Sequence, residues 1–139
     1  MELIEKLQAS TVGFLPDHLG IRFVSVTEDS IEAAIDSPGQ QLSTLPGIVH
    51  GGTIMAFADT LGAYSTIVNL PDGFGTTTIE SKTNFLAAAN ADVALVGKTE
   101  ALHRGGRTMV WQTRIYSGDR LVAQTTQTQM VLEPRKQSG

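Results

Sequence analysis

Between Gly47 and Asn69 the chain carries one formal charge, Asp59, in a stretch otherwise built of small and apolar residues. The stretch opens Gly47-Ile48-Val49-His50-Gly51-Gly52 and runs on as Thr53-Ile54-Met55-Ala56-Phe57-Ala58-Asp59-Thr60-Leu61-Gly62-Ala63-Tyr64-Ser65-Thr66-Ile67-Val68-Asn69. Ile54, Phe57 or Ala58, Leu61, Tyr64 or Ser65, and Val68 fall three or four apart, which is the spacing of one helical face. That predicts a helix over 53–69, about four to five turns long and buried around most of its circumference. A carboxylate in such a rod costs several kcal/mol or is pushed toward its neutral form unless something partners it. Gly51 and Gly52 stand where the helix opens, where backbone N–H groups lack intrahelical acceptors and the dipole is positive. A buried acid and an anion-stabilising helix end are the two parts that attack on a carbonyl would use.

Gly51 and Asp59 lie eight residues apart, about 12 Å along a helix axis. One carbonyl cannot reach both groups of a single helix. If they form one site, they come from different chains, with two such helices antiparallel about a two-fold axis. A site here therefore implies a dimer.

Each of these residues also has a plainer role open to it. Asp59 could be bonded to backbone or to a hydroxyl such as Thr60, and the glycine pair could only permit an unusual conformation or tight packing. Met55, Gly62, Ala63 and Thr66, three, four or seven residues from Asp59, leave room for a ligand or for a partner helix. His50 has no Ser or Asp beside it in a triad-like signature, and reads as a neutral imidazole bonded to backbone at the helix entry.

The rest of the chain reads as α+β. Residues 2–10 suit a short amphipathic helix with Leu3, Ile4 and Leu7 on one side, ended by Gly13, Pro16 and Gly20. Residues 21–27 and 31–35 form a hairpin, and 40–49 a loop leading to the central helix. After it come strands over 75–86, 93–103, 108–117 and 121–132, joined by turns at Gly105-Gly106 and Ser117-Gly118-Asp119. These strands are long, which implies a curved antiparallel sheet of five to six strands wrapped around the helix, its open edges hidden when two copies meet. Trp111 and Phe85 read as core aromatics. The whole of 1–139 reads as one domain with no repeat or linker.

Composition removes several function classes. A net charge of −4 argues against a general nucleic-acid binder. With no cysteine there is no disulfide, thiol nucleophile or thiolate metal site, and His18, His50 and His103 lack metal-ligand spacing. No apolar run reaches membrane-spanning length, and Glu2 and Glu5 stand where a signal peptide is basic, so the expectation is a cytoplasmic protein.

His50-Gly51-Gly52 followed by a helical acid nine residues after the histidine resembles the hotdog-fold thioesterases, in the branch of the phenylacetate-pathway and 4-hydroxybenzoyl-CoA enzymes. The resemblance continues through Gly75 to Ala89 and through His103-Arg104-Gly105-Gly106-Arg107-Thr108 to about Leu132. It implies a homodimeric or tetrameric acyl-CoA thioesterase without a cofactor. Asp59 would be general base or nucleophile, the Gly51 N–H the oxyanion donor, and Thr78 a hydroxyl bonded to the water or the acid. Thr76, Thr77 and Thr78 are contiguous, so a register one residue off would select Thr77; alternation puts 76 and 78 on one face. Substrate contacts would fall to Gly52, to His50 as a support of the loop, and to Lys82, Arg104, Gly105 and Arg107 near the phosphates of CoA. Each of those cations could equally be a solvated charge at a strand end. One position departs from the family: an Asn or Gln often precedes the first glycine by seven residues, and here Thr44 stands there. A non-catalytic acyl-CoA-binding protein and a dehydratase or hydratase of enoyl thioesters are the other readings of the same fold.

Overall fold

The computed structural model describes residues 2–136. Helix α1 (Leu3–Ser10) and the single turn α2 (Leu15–His18) lead into strands β1 (Ile21–Val26) and β2 (Ser30–Ile35). A short 3₁₀ turn (Gln40–Leu42) and the strands β3 (Ser43–Leu45) and β4 (Ile48–Val49) follow. Next come α3 (Gly51–Ile67), β5 (Gly75–Phe85), β6 (Leu95–Arg104), β7 (Thr108–Ser117) and β8 (Arg120–Leu132). Six strands make one antiparallel sheet in the order β1-β2-β6-β7-β8-β5, while β3 and β4 pair separately. The fold is the expected hotdog: one long helix held against a six-stranded antiparallel sheet.

The turns follow from local chemistry. Gly118 has φ +60° at the first central position of the two-residue β7–β8 turn, the place where a primed turn needs a glycine. Thr27 closes the β1–β2 turn, its Oγ1 accepting from the Ser30 N–H at 3.0 Å. The 40–49 segment is more ordered than a plain loop. His50 N–H donates to the Leu42 carbonyl and Val49 N–H to that of Ala89, which fixes the angle at which the chain enters α3.

Ile54, Phe57, Ala58, Leu61 and Ser65 of α3 are buried against the sheet, as their spacing predicts. Each large apolar side chain among them contributes about 1.5–3 kcal/mol by leaving water. Close approach is bought by glycine at two points. A Cβ on Gly97 would stand 2.6 Å from Leu61 Cδ1, and one on Gly62 would stand 2.1 Å from the Gln127 amide carbon. The opposite side of α3 is less covered than expected. Met55 and Ile67 are exposed and Ala56, Asp59, Thr60 and Ala63 only partly buried, so the helix has one dry face and one open stripe. Trp111 is fully buried, its Nε1–H donating to Thr66 Oγ1 at 2.8 Å. Phe85 is not a core residue. At the end of the edge strand β5 it is 52% exposed, because no neighbouring strand covers that edge among the described residues.

Candidate active site

The N-terminus of α3 is capped by its own sequence. His50 is the N-cap residue, and its Nδ1 accepts from the Gly52 N–H at 2.7 Å, so that nitrogen is unprotonated. Gly52 must lack a side chain here, since a Cβ would lie 2.8 Å from the same Nδ1. The N–H groups of Thr53 and Ile54 both go to the His50 carbonyl. Of the four N–H groups at this helix end, Gly51's alone has no acceptor among the described residues. Phe85 lies against it, with ring atoms 3.4 Å from where a Gly51 Cβ would be.

Asp59 sits two turns along, on the open stripe. Its Oδ1 accepts from Thr78 Oγ1 at 2.8 Å, and Oδ2 has no protein partner among the described residues. Thr78 therefore meets the acid from the same chain, and Thr60 does not, its hydroxyl donating to the Ala56 carbonyl. The register selects Thr78, the residue the resemblance implies, and not Thr77. Thr76 and Thr78 turn toward the helix while Thr77 is exposed on the other face of β5. A bulge between Thr78 and Glu80 then shifts the alternation, so that Ser81 and Thr83 are partly covered and Lys82 is exposed.

Behind Thr78 lies a polar group that the sequence analysis did not single out. Gln127 and Gln129 of β8 are 1% and 0% exposed, respectively. Gln129 Nε2 donates to Thr78 Oγ1 at 2.6 Å and to Gln127 Oε1 at 2.7 Å. Thr76 Oγ1 donates to Gln129 Oε1 at 2.9 Å, and Gln127 Nε2 to the Ala58 carbonyl at 2.8 Å. Ala123, Thr125, Gln127 and Gln129 occupy alternate covered positions of β8, but polar residues stand on both faces over 124–129, so the sequence carries no signal of which face is inward.

The other expected contacts are not gathered at the acid. Thr44 is exposed on β3 and lines a shallow depression with Gln40, Ser43, Leu45 and Pro46. Arg104 is engaged by acids, with nitrogens 3.0 Å from Asp29, 3.6 Å from Glu28 and 3.1 Å from Asn69 Oδ1. The Gly105 N–H closes the β6–β7 turn onto the Thr108 carbonyl at 2.9 Å, so it is not offered to a phosphate. Arg107 and Lys82 are exposed and make no ion pair among the described residues. There, too, no three His, Asp or Glu side chains stand together as a metal site would require, and no helix is long and apolar enough to cross a membrane.

One long helix on an antiparallel sheet thus carries a first-turn N–H with no acceptor among the described residues and, two turns on, a single acid. The chain belongs to the thioesterase superfamily, whose model matches residues 46–124. It is 32% identical over 115 residues to the proofreading thioesterase EntH of Cronobacter turicensis, with 81% of each chain covered. It is 28% identical over 115 residues to the 1,4-dihydroxy-2-naphthoyl-CoA hydrolase of Escherichia coli, covering 81% of this chain and 82% of that one. Its fold matches that of a thioesterase from Haemophilus influenzae with a TM-score of 0.89 at 22% identity, over 100% of this chain and 96% of the other. A hypothetical thioesterase from Streptococcus pneumoniae solved with coenzyme A has the same fold, with a TM-score of 0.73 at 23% identity over 84% and 88% of the two chains. The protein is thus a thioester hydrolase by family.

Proposed function

We propose that the protein hydrolyses an acyl-CoA thioester to the free acid and CoA, at a site shared between two copies of the chain. One observation carries this: among the described residues, a single helix holds one first-turn N–H without an acceptor and one half-covered carboxylate with one oxygen held and the other open. Because about 12 Å of helix separates them, the reading takes Gly51 from one protomer and Asp59 from the other. The open stripe of α3 and the unpaired edge of β5 are the surfaces a second copy would cover. A dimer of dimers would be built from the same unit. The CoA half of the substrate rests on the relatives, one of them a CoA thioester hydrolase and one solved with coenzyme A.

In this reading Asp59 Oδ2 takes a proton from water as the water oxygen bonds to the thioester carbon. The carbonyl electrons move onto oxygen, where the Gly51 N–H and the positive end of α3 stabilise them. Losing one such donor costs about 3 kcal/mol of barrier. Collapse breaks the C–S bond and releases a thiolate, a good leaving group that needs no strong acid, and it recovers the proton from Asp59 or solvent. The same geometry also allows Oδ2 to attack directly and form a mixed anhydride that water then opens. Arg107 and Lys82 are the cations available to CoA phosphates, whereas Arg104 would have to exchange its carboxylates for them. His50 and Gly52 support the loop and the cap rather than the chemistry.

The test is hydrolysis of a panel of acyl-CoAs by wild type and Asp59→Asn. The expected loss in kcat is about a hundredfold or more, the range for removing a general base. Equal rates would end the assignment of Asp59. Saturable binding of every thioester with no turnover by wild type would establish a binding protein instead.

A further inference from the structure

We propose that Gln129, steadied by Gln127, is a positioning residue: it fixes the direction of the Thr78 hydroxyl so that its proton goes to Asp59 Oδ1, leaving Oδ2 as the reacting oxygen. This rests on the assignment of Asp59 made above.

The direction is set from the far end of the chain of bonds. A backbone carbonyl can only accept, so the Ala58 oxygen obliges Gln127 to present its NH₂ there, 2.8 Å away. Gln127 Oε1 is thereby turned to Gln129, which must answer with Nε2 at 2.7 Å. The second proton of that nitrogen goes to Thr78 Oγ1 at 2.6 Å. Thr78 has one proton of its own, and the acceptor left for it is Asp59 Oδ1 at 2.8 Å. Reversing either amide would set two oxygens face to face, so the assignment of nitrogen and oxygen is not a free choice. Gln129 Oε1 faces Thr76 Oγ1 at 2.9 Å, whose single proton it shares with the Met130 carbonyl, also at 2.9 Å, so the direction is set from the Gln127 side.

Burial makes the lock rigid. Neither glutamine reaches solvent, and an amide in an apolar interior is costly unless all its partners are present. Gly62 leaves the space that Gln127 fills, since any Cβ at 62 would overlap the amide. A leucine or methionine at either position would suit a sheet interior without this requirement. The arrangement links the backbone immediately before Asp59 to the hydroxyl on its carboxylate, so the acid is held at both ends of one network.

The experiment is a double-mutant cycle in kcat, on the full-length protein, with Thr78→Val and Gln129→Met as the single changes. Thr78→Val removes the bond to the acid and lowers kcat about tenfold, while Thr78→Ser restores it. Gln129→Met lowers kcat with KM unchanged in the wild-type background, and has no further effect on kcat once Thr78 is valine. If the two losses multiply, or if Gln129→Met lowers the melting temperature alone, Gln129 has only a structural role and the proposal is wrong. Should Gln129→Met not fold, Gln127→Met, one link further from the acid, makes the same comparison. Asp59→Asn, run alongside, separates the two ideas. If it is fully active, the assignment of Asp59 falls and the relay with it; if it is inactive while the cycle is multiplicative, the relay alone falls.

Discussion

Two polar clusters, one at the middle of α3 and one just past its C-terminus, meet the sheet, and they are built on opposite principles. Beside Asp59, four neutral side chains (Thr76, Thr78, Gln127 and Gln129) form a dry, directed set of hydrogen bonds. Beyond the C-terminus of the helix, Arg104 meets Glu28, Asp29 and Asn69 at the surface, with the two acids 71% and 65% exposed. Full charges in water gain little from meeting, because solvent and salt serve them almost as well. Neutral amides out of water have no such alternative, so each bond they make is obligatory and its direction matters. The buried cluster therefore specifies a geometry, whereas the exposed one adds modestly to how the β1–β2 turn sits against the β6 end. A geometry-dependent function belongs with the first.

The sharpest way to break that contrast is Gly62→Ala. On an ordinary helix the change would stabilise by about 1 kcal/mol. Here the new Cβ would meet Gln127 atoms at 2.1, 2.2 and 2.5 Å, inside a packed interior. Gln127 must leave the Ala58 carbonyl and Gln129 together, so we expect a net loss of about 1–3 kcal/mol, the usual cost of overpacking. Chemical denaturation measures it. A variant as stable as wild type would mean that Gln127 moves aside freely, and that the network is not the rigid object described above.

The same contrast explains what was legible beforehand. Periodicity located α3, because a helix that buries Ile54, Phe57, Leu61 and Ser65 must repeat every three or four residues. The long strands, their turns and the lone Asp59 were readable for similar reasons; alternation put Thr76 and Thr78 on one face but did not say which face is inward. Charge drew attention to Arg104, but its nearest carboxylates lie some 75 residues away in sequence, and nothing local records them. Phe85 looked like core because a phenylalanine in a strand usually is, and only the strand order reveals that β5 ends the sheet. Gln127 and Gln129 were hidden for a different reason. In Gln124-Thr125-Thr126-Gln127-Thr128-Gln129 polar residues occupy both faces of the strand, so alternation gives no contrast from which to tell inside from outside.

A smaller effect is expected at the exposed cluster. Arg104→Gln removes two ion pairs, and its shorter amide also gives up the hydrogen bond that the guanidinium makes to Asn69 Oδ1. Exposed pairs contribute about 0.2–1 kcal/mol each, and the loss should shrink as salt is added. A salt-independent loss as large as that of Gly62→Ala would erase the distinction between the clusters.

The smallest change is predicted for Asp36→Asn, at the other edge of the sheet. Arg22 donates to Asp36 through Nε and Nη2 at 2.8 and 2.9 Å, and both side chains are more than half exposed. That hydrogen bonding, aided by the opposite charge, holds the Asp36 carboxyl below its ordinary value of 3.8, and raises the already high pKa of Arg22. A depressed carboxylate stabilises the fold above its unfolded pKa and loses that contribution as pH falls through the folded one. Arg22 stays charged throughout this window, so Asp36 alone sets the pH dependence. Wild type should therefore melt slightly above the variant at neutral pH and low salt, and the gap should close on acidification below 3.8 or on addition of salt. Melting curves of the two proteins across that range check it. A gap that widened in acid would have the wrong sign for a bond to the ionised carboxylate, and the surface pair would then owe its effect to packing rather than charge.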